Sequence, residues 1–323
     1  MFRRDVLRAL SFGALACVVT LPRAQSYPSR PITLLVGGAP GSVPDIMVRP
    51  IAEGLGAALG QPVIVENRPG AAGDVAISAL LQAPADGHTL ALATMSQAVS
   101  NAHLFAKLPY DPLRDLEPVA PLVTGAMALA AHSSFPAQSL GEFVALAKAE
   151  PRKYFVAMPQ QGSPPHIVAL LLNRATGIEV TMVPHKSGSD AVNAVVSGEI
   201  PLLFDAPTII LSQVRAGKLK ALATTGRQRE PALPETPTAG ESGFDVQGEA
   251  WIGLVAARGT PAGVVQRLNR EVGAILATNE MSAAMARLSF RRMRSTPDTF
   301  RTLIRDENAK WSVVIRDAGL KLE

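Results

Sequence analysis

Cysteine is almost missing from this sequence: Cys17 is the single one among 323 residues. One thiol builds no disulfide, and metal sites made of paired cysteines are excluded with it. The five histidines are scattered, with no His-Glu-x-x-His pair to hold a metal. No Gly-x-Ser-x-Gly elbow, no Gly-x-Gly-x-x-Gly after the first strand and no Walker lysine occurs. Those absences argue against an enzyme, and no cofactor is expected. Excess charge is absent too: 31 basic and 27 acidic residues leave a net charge of only +4. No basic stripe is available for a nucleic-acid partner. Aromatic residues make up 5% of the chain, against abundant Ala, Val and Leu, which fits an α/β protein with parallel strands.

A membrane-spanning run is also lacking. The apolar stretch Ala9 to Leu21 is too short to cross a bilayer. Arg3, Arg4 and Arg8 precede it, and Arg23-Ala24 then meets the polar Gln25-Ser26. That order predicts a signal peptide over residues 1–24 and a periplasmic mature protein. Arg3-Arg4-Asp5-Val6-Leu7-Arg8 is similar to the twin-arginine export signal, with Val6 where Phe is usual, so the Sec route stays open. Cys17 has Ala14 where a lipobox prefers Leu, which argues against a lipid anchor. Removing the leader takes four arginines and one aspartate, leaving 27 basic against 26 acidic residues. The remaining 299 residues exceed what one core normally serves, so two domains are expected.

What the chain does have is one recurring junction: a short apolar run, a Gly/Ser/Pro-rich loop, and an amphipathic helix opening directly from it. Ile32 to Val36 leads into residues 37–45, Tyr154 to Ala157 into residues 158–166, and Val180 to Val183 into residues 184–190. Each junction puts free backbone N–H groups and a partial positive charge where a strand hands over to a helix, which suits a carboxylate or phosphate. The pattern from Pro31 reads strand, helix (Val43–Leu59), strand (Val63–Glu66), helix (Ala71–Gln82), strand (Thr89–Ala93). Met47, Ile51, Leu55 and Leu59 recur every four residues as the apolar stripe of the first helix. A second alternating set runs from Tyr154 to Thr224. Leu116 to Ala131 reads as a strand crossing between the sets, Gly248 to Ala257 as the return, and three helices follow. Domain 1 is therefore expected over residues 25–126 and 250–323, and domain 2 over 127–249. Two lobes joined by two crossings form a hinged binding protein with its ligand between strand C-termini.

Seven runs now coincide with a known family. They are residues 27–32 (Tyr-Pro-Ser-Arg-Pro-Ile), Ala39-Pro40-Gly41 to Asp45, residues 65–73 (Val-Glu-Asn-Arg-Pro-Gly-Ala-Ala-Gly), and residues 85–90 (Ala-Asp-Gly-His-Thr-Leu). Residues 108–112 (Leu-Pro-Tyr-Asp-Pro), Gly162-Ser163-Pro164-Pro165-His166 and residues 231–238 (Pro-Ala-Leu-Pro-Glu-Thr-Pro-Thr) complete the series. In this order they resemble the Bug family, the periplasmic substrate-binding proteins of tripartite tricarboxylate transporters. The resemblance implies a two-lobed, type II-like periplasmic binding fold, each lobe a doubly wound, mainly parallel sheet. It implies a monomer, a small carboxylate ligand, and membrane permease subunits as partners. In that family, backbone amides, hydroxyls and bridging water usually hold the carboxylate. This chain departs from the pattern at Ser42-Val43-Pro44, where the family shows a glycine run, and at His185-Lys186-Ser187-Gly188, where tyrosine-lysine-glycine-glycine is commoner. Bulkier residues there should reshape the cavity.

The candidate ligand residues follow from the loops. Ala39, Pro40, Gly41, Ser42 and Val43 form the first, and Gly162 and Ser163 the second, with Ser163 also an N-cap before Pro164. Ser42 and Asp45 are spaced as a capping box, so Asp45 either caps or meets ligand. His166 is a ligand donor or a buried structural histidine. Ser187 and Gly188 open the third helix. Thr94 ends a strand with its hydroxyl available to the ligand. Asp205, also at a strand end, implies a bridging water, an amino-bearing ligand or a mere cap. Lys186 reads as solvated, and Asn67-Arg68-Pro69-Gly70 as a turn setting the next helix. Two rival readings are a cytoplasmic nucleotide-binding enzyme of similar architecture and a periplasmic protein that feeds a sensor instead of a transporter.

Overall fold

The computed structural model describes residues 27–294 and 296–322. The expected signal peptide and Cys17 lie outside the described residues. In chain order the elements are β1 (Ile32–Val36), α1 (Val43–Leu59), β2 (Val63–Asn67), α2 (Asp74–Gln82), β3 (Thr89–Thr94), α3 (Asn101–Leu104), α4 (Pro112–Asp115), β4 (Leu116–Ala126) and β5 (Ala128–His132). Then come α5 (Leu140–Ala149), β6 (Phe155–Met158), α6 (Pro164–Thr176), β7 (Thr181–Pro184), α7 (Gly188–Val196), β8 (Leu202–Asp205), α8 (Pro207–Arg215) and β9 (Leu219–Thr224). The chain closes with β10 (Glu249–Ala257), α9 (Ala262–Ile275), α10 (Asn279–Arg287), β11 (Arg291–Arg292) and α11 (Pro297–Asp317).

The strands form two sheets, of order β11-β4-β10-β3-β1-β2 in lobe one and β7-β6-β8-β5-β9 in lobe two. The predicted apolar stripe of α1 is wholly buried against lobe one. Within each sheet β1, β2 and β3, or β6, β7 and β8, run parallel. Antiparallel pairing centres on the crossings: β10 runs antiparallel to both β3 and β4 in one lobe, and β5 to both β8 and β9 in the other. The single strand expected over Leu116–Ala131 is two strands broken at Met127, because β4 stays in the first sheet while β5 enters the second. The helix expected over Ala71–Gln82 starts at Asp74. Ahead of it Ala71 and Ala72 take left-handed backbone (φ 45° and 52°), and the Gln97 amide pulls the Ala72 carbonyl inward. Helix α5 has no counterpart in the sequence reading; Ser139 caps it and Phe143, Val144 and Ala147 bury its inner face.

Register decides where the loops after the strands lie. Ala126 pairs with Glu249 and Thr94 with Ile252, so the end of β3 sits beside both crossings. In the other sheet Ala128 pairs with Asp205 and with Thr224, so the end of β8 meets the same place. The C-terminal ends of the parallel strands of both lobes therefore point to one junction. Thr225 stitches it. Its N–H donates to Met127 O (2.9 Å) and its hydroxyl to Gly248 O (2.5 Å), while Met127 N donates to Thr225 Oγ1 (3.0 Å). One apolar core runs through both lobes, from Leu35, Trp251 and Trp311 to Phe143, Val156 and Phe204.

Candidate functional site

Two of the predicted loops turn out to be copies of one another. After β1, Gly41 has φ 80° and Ser42 sits at the N-cap of α1 with φ −68°, ψ 160°. After β6, Gly162 has φ 79° and Ser163 sits at the N-cap of α6 with φ −65°, ψ 158°. Ser42 N donates to Ala39 O and Ser163 N to Gln160 O, both at 3.0 Å. Ile46 N donates to Ser42 O (2.9 Å) and Ile167 N to Ser163 O (3.1 Å). A left-handed residue at this point favours glycine, because a side chain would crowd its own backbone. The loops are one device built twice.

Neither serine caps its helix through its side chain. The predicted Ser42–Asp45 capping box is not made: Asp45 reaches back one residue further, to Gly41 N at 2.9 Å. Both serine hydroxyls are buried and find no protein partner. Burying a hydroxyl unpaired costs on the order of 1–3 kcal/mol, so each is a strong candidate to meet a ligand. Gly38 and Ala39 in one loop, and Gln160 and Gln161 in the other, donate no backbone hydrogen bond among the described residues. By contrast Gly41 and Gly162 spend their amides inside the loop, and Pro164 and Pro165 leave the first turn of α6 without two N–H groups.

The carboxylate of Asp45 is saturated. It accepts from Gly41 N, from Arg49 Nε (3.0 Å) and Nη2 (2.8 Å), and from Asn67 Nδ2 (3.0 Å). Its pKa is lowered to about 2, chiefly by the Arg49 hydrogen bonds. Asn67 also donates to Gly38 O at 2.9 Å, so this residue holds the loop after β1 and does more than turn the chain. Sequence reasoning missed that role, and also Arg49 and Gln97; the first two signal it only through register and helical spacing. Gln97 Oε1 accepts from both Thr94 N (2.8 Å) and Thr94 Oγ1 (2.6 Å), and Thr94 Oγ1 accepts from Ser96 N. Thr94 is thereby tied locally. Gly37, which opens the loop after β1, abuts Gly73, and Gly73 abuts Gln97, the residue that holds Thr94.

The lobe-two residues gather likewise. His166 is 4% exposed, and its Nδ1 accepts from Gly162 N at 3.0 Å. Burial lowers its pKa to about 4, so the ring is neutral at neutral pH. Gln160 Nε2 donates to Lys186 O (3.2 Å), joining this loop to the next. Ser187 caps α7, accepting from Asp190 N and donating to Asp190 Oδ2. A Cβ on Gly188 would strike Asp205 Oδ2, so Gly188 is the residue that lets α7 approach Asp205. Asp205 Oδ1 accepts from Ala206 N (2.7 Å), and Oδ2 is buried without a partner. Desolvation pushes its pKa up to about 6. Gly162 also packs on Leu104 and Leu322 of lobe one, so this loop is in contact with both lobes. Among the described residues no group of acidic, histidine or cysteine side chains could hold a metal, and no helix is long and apolar enough to cross a membrane.

Two α/β lobes sharing two crossings, with donor loops at the strand ends beside them, define a solute-binding protein. The family follows from comparison. The profile of the tripartite tricarboxylate transporter family receptor, TctC, matches residues 47–320, and the chain belongs to that family. Protein BugT of Bordetella pertussis is 32% identical over 314 residues, covering 97% of this chain and 96% of that protein. MatC from Rhodopseudomonas palustris, solved with bound malate, superposes with a TM-score of 0.75 at 32% identity, covering 90% of this chain and all of that one. R. palustris Rpa4515 with adipate gives a TM-score of 0.79 at 29% identity, covering 92% of this chain and all of that one. Members of the family are periplasmic binding proteins for carboxylates, and not enzymes.

Proposed function

We propose that this protein captures a small carboxylate between its lobes and delivers it to the permease subunits of a tripartite tricarboxylate-type transporter. The observation that carries the reading is the matched pair of buried, unpartnered hydroxyls, Ser42 and Ser163, one from each lobe. A carboxylate has two oxygens that can each accept from such donors, and loop amides at Gly38, Ala39, Gln160 and Gln161 add neutral donors around it. Domain 1 is assigned to residues 25–126 and 250–323, and domain 2 to 127–249, with the hinge near residues 124–130 and 248–252. The malate and adipate of two relatives support the ligand class, and the permease partner follows the family's description.

A thermal-shift screen of mature protein against mono-, di- and tricarboxylates tests the reading. Malate and adipate are its first probes, and stabilisation grows with ligand concentration when the native state alone binds. No shift with any carboxylate would sink it. Small-angle scattering at saturation should show the lobes closing, and an unchanged radius of gyration would count against a hinge. The Arg3-Arg4 pair supports twin-arginine export to the periplasm. Amino-terminal sequencing should find a mature chain beginning near Gln25, and export should stop in cells lacking that route. Export that persists there assigns the leader to Sec.

A further inference from the structure

In lobe one, the residue four after the left-handed glycine fixes the loop: Asp45 accepts the Gly41 amide. In lobe two the same position carries His166, which accepts the Gly162 amide through Nδ1. A backbone amide can only donate, so Nδ1 must be unprotonated and the neutral ring carries its proton on Nε2. The supports of Asp45 have no equivalents around His166. Arg49 lies four residues after Asp45; four residues after His166 stands Leu170. Asn67 pairs in register with Val36, five residues before Gly41; five residues before Gly162, Ala157 pairs with Val183, which has no side-chain donor. A carboxylate at position 166 would be buried with one amide and no cation, which is costly. A neutral acceptor is what this lobe can accommodate.

We propose that His166 is a positioning residue of the lobe-two loop, locking Gly162 through a neutral Nδ1 and so presenting the Ser163 hydroxyl. Its bearing on ligand binding rests on the reading of that loop as half of the site; the locking itself does not. Two measurements without ligand therefore test it first. Nitrogen-15 spectra of the histidine ring at neutral pH should show the Nε2–H tautomer for His166. Amide exchange at Gly162 should speed up at least tenfold in His166→Leu, which fills the space without an acceptor. His166→Asn, whose Oδ1 can take the place of Nδ1, should restore the slow exchange. His166→Asp should be unstable, and adding Leu170→Arg to it should recover stability by supplying the missing cation.

Malate titration gives the last arm, compared with Ser163→Ala. His166→Leu should weaken malate binding about as much as Ser163→Ala, roughly tenfold, while His166→Asn stays close to wild type. An Nδ1–H tautomer, or slow Gly162 exchange in His166→Leu, would overturn the proposal. Fast exchange with undiminished malate affinity in both His166→Leu and Ser163→Ala would leave the lock standing and remove the loop from the site.

Discussion

The loops after β1 and β6 share their backbone angles, their internal hydrogen bonds and their unpartnered serine, yet they are held by opposite chemistry. Lobe one uses an ionised carboxylate tied to Arg49 and Asn67; lobe two uses an uncharged ring. The lesson is that loop geometry can be conserved between halves of a molecule while its acceptor is set by the neighbours available. A charge-assisted clamp is stronger than a neutral one, but it needs a donor set that only the first lobe contains. The two clamps should therefore fail at different pH, and that asymmetry can be broken or sharpened by experiment.

Acid should produce the largest effect. His166 binds a proton only near pH 4 when folded but near 6.5 when unfolded. Its stability contribution is intact above pH 6.5 and declines as pH falls from 6.5 to 4, by up to about 3 kcal/mol. Asp205 runs the other way: its folded pKa of about 6 exceeds the unfolded 3.8, so it penalises the folded state above pH 6 and relieves that penalty on acidification. The two slopes oppose each other. Asp205→Asn should expose the His166 loss as a steeper fall in urea midpoint between pH 6.5 and 4, while His166→Asn should flatten it. Identical pH profiles in all three proteins would refute both assignments. Asp45, with a folded pKa of about 2, keeps its contribution until pH falls below 3.8.

Removing the lobe-one clamp at neutral pH comes next. Asp45→Ala strips acceptors from Gly41 and Asn67 and should cost about 2 kcal/mol, by the worth of hydrogen bonds to a charged group. Urea unfolding followed by the fluorescence of Trp251 and Trp311 reads it. Smaller again, Ser42→Ala and Ser163→Ala should each weaken carboxylate binding roughly tenfold, since each removes one hydrogen bond to a charged group, of about 1.5 kcal/mol. Calorimetry that finds one serine dispensable would break the equivalence of the loops. Lys186→Ala should be the mildest. Its ammonium makes no ion pair among the described residues, and an exposed charge contributes about 0–1 kcal/mol. Abolished binding there would replace neutral-donor recognition with a cationic clamp.

Much of this protein could be read from the chain itself. Four-residue apolar spacing predicted α1, alternation of apolar runs with helices predicted two α/β sets, and the Gly/Ser/Pro-rich junctions pointed to the strand ends where the candidate site lies. Local order has local causes: backbone freedom at glycine, the missing N–H of proline, and the burial of one helix face. Tertiary structure alone decided the rest. The spacing of Ser42 and Asp45 suggested a capping box, and only the folded loop turned Asp45 to Gly41, Arg49 and Asn67, the last of them 22 residues away. Sequence left His166 open between ligand and scaffold, and only the folded loop brought its Nδ1 to the Gly162 amide. The run Leu116–Ala131 looked like one strand, and two sheets competing for it split it at Met127. Which donors stay unpaired depends on groups far apart in the chain, and pairing across that distance leaves no periodicity to read.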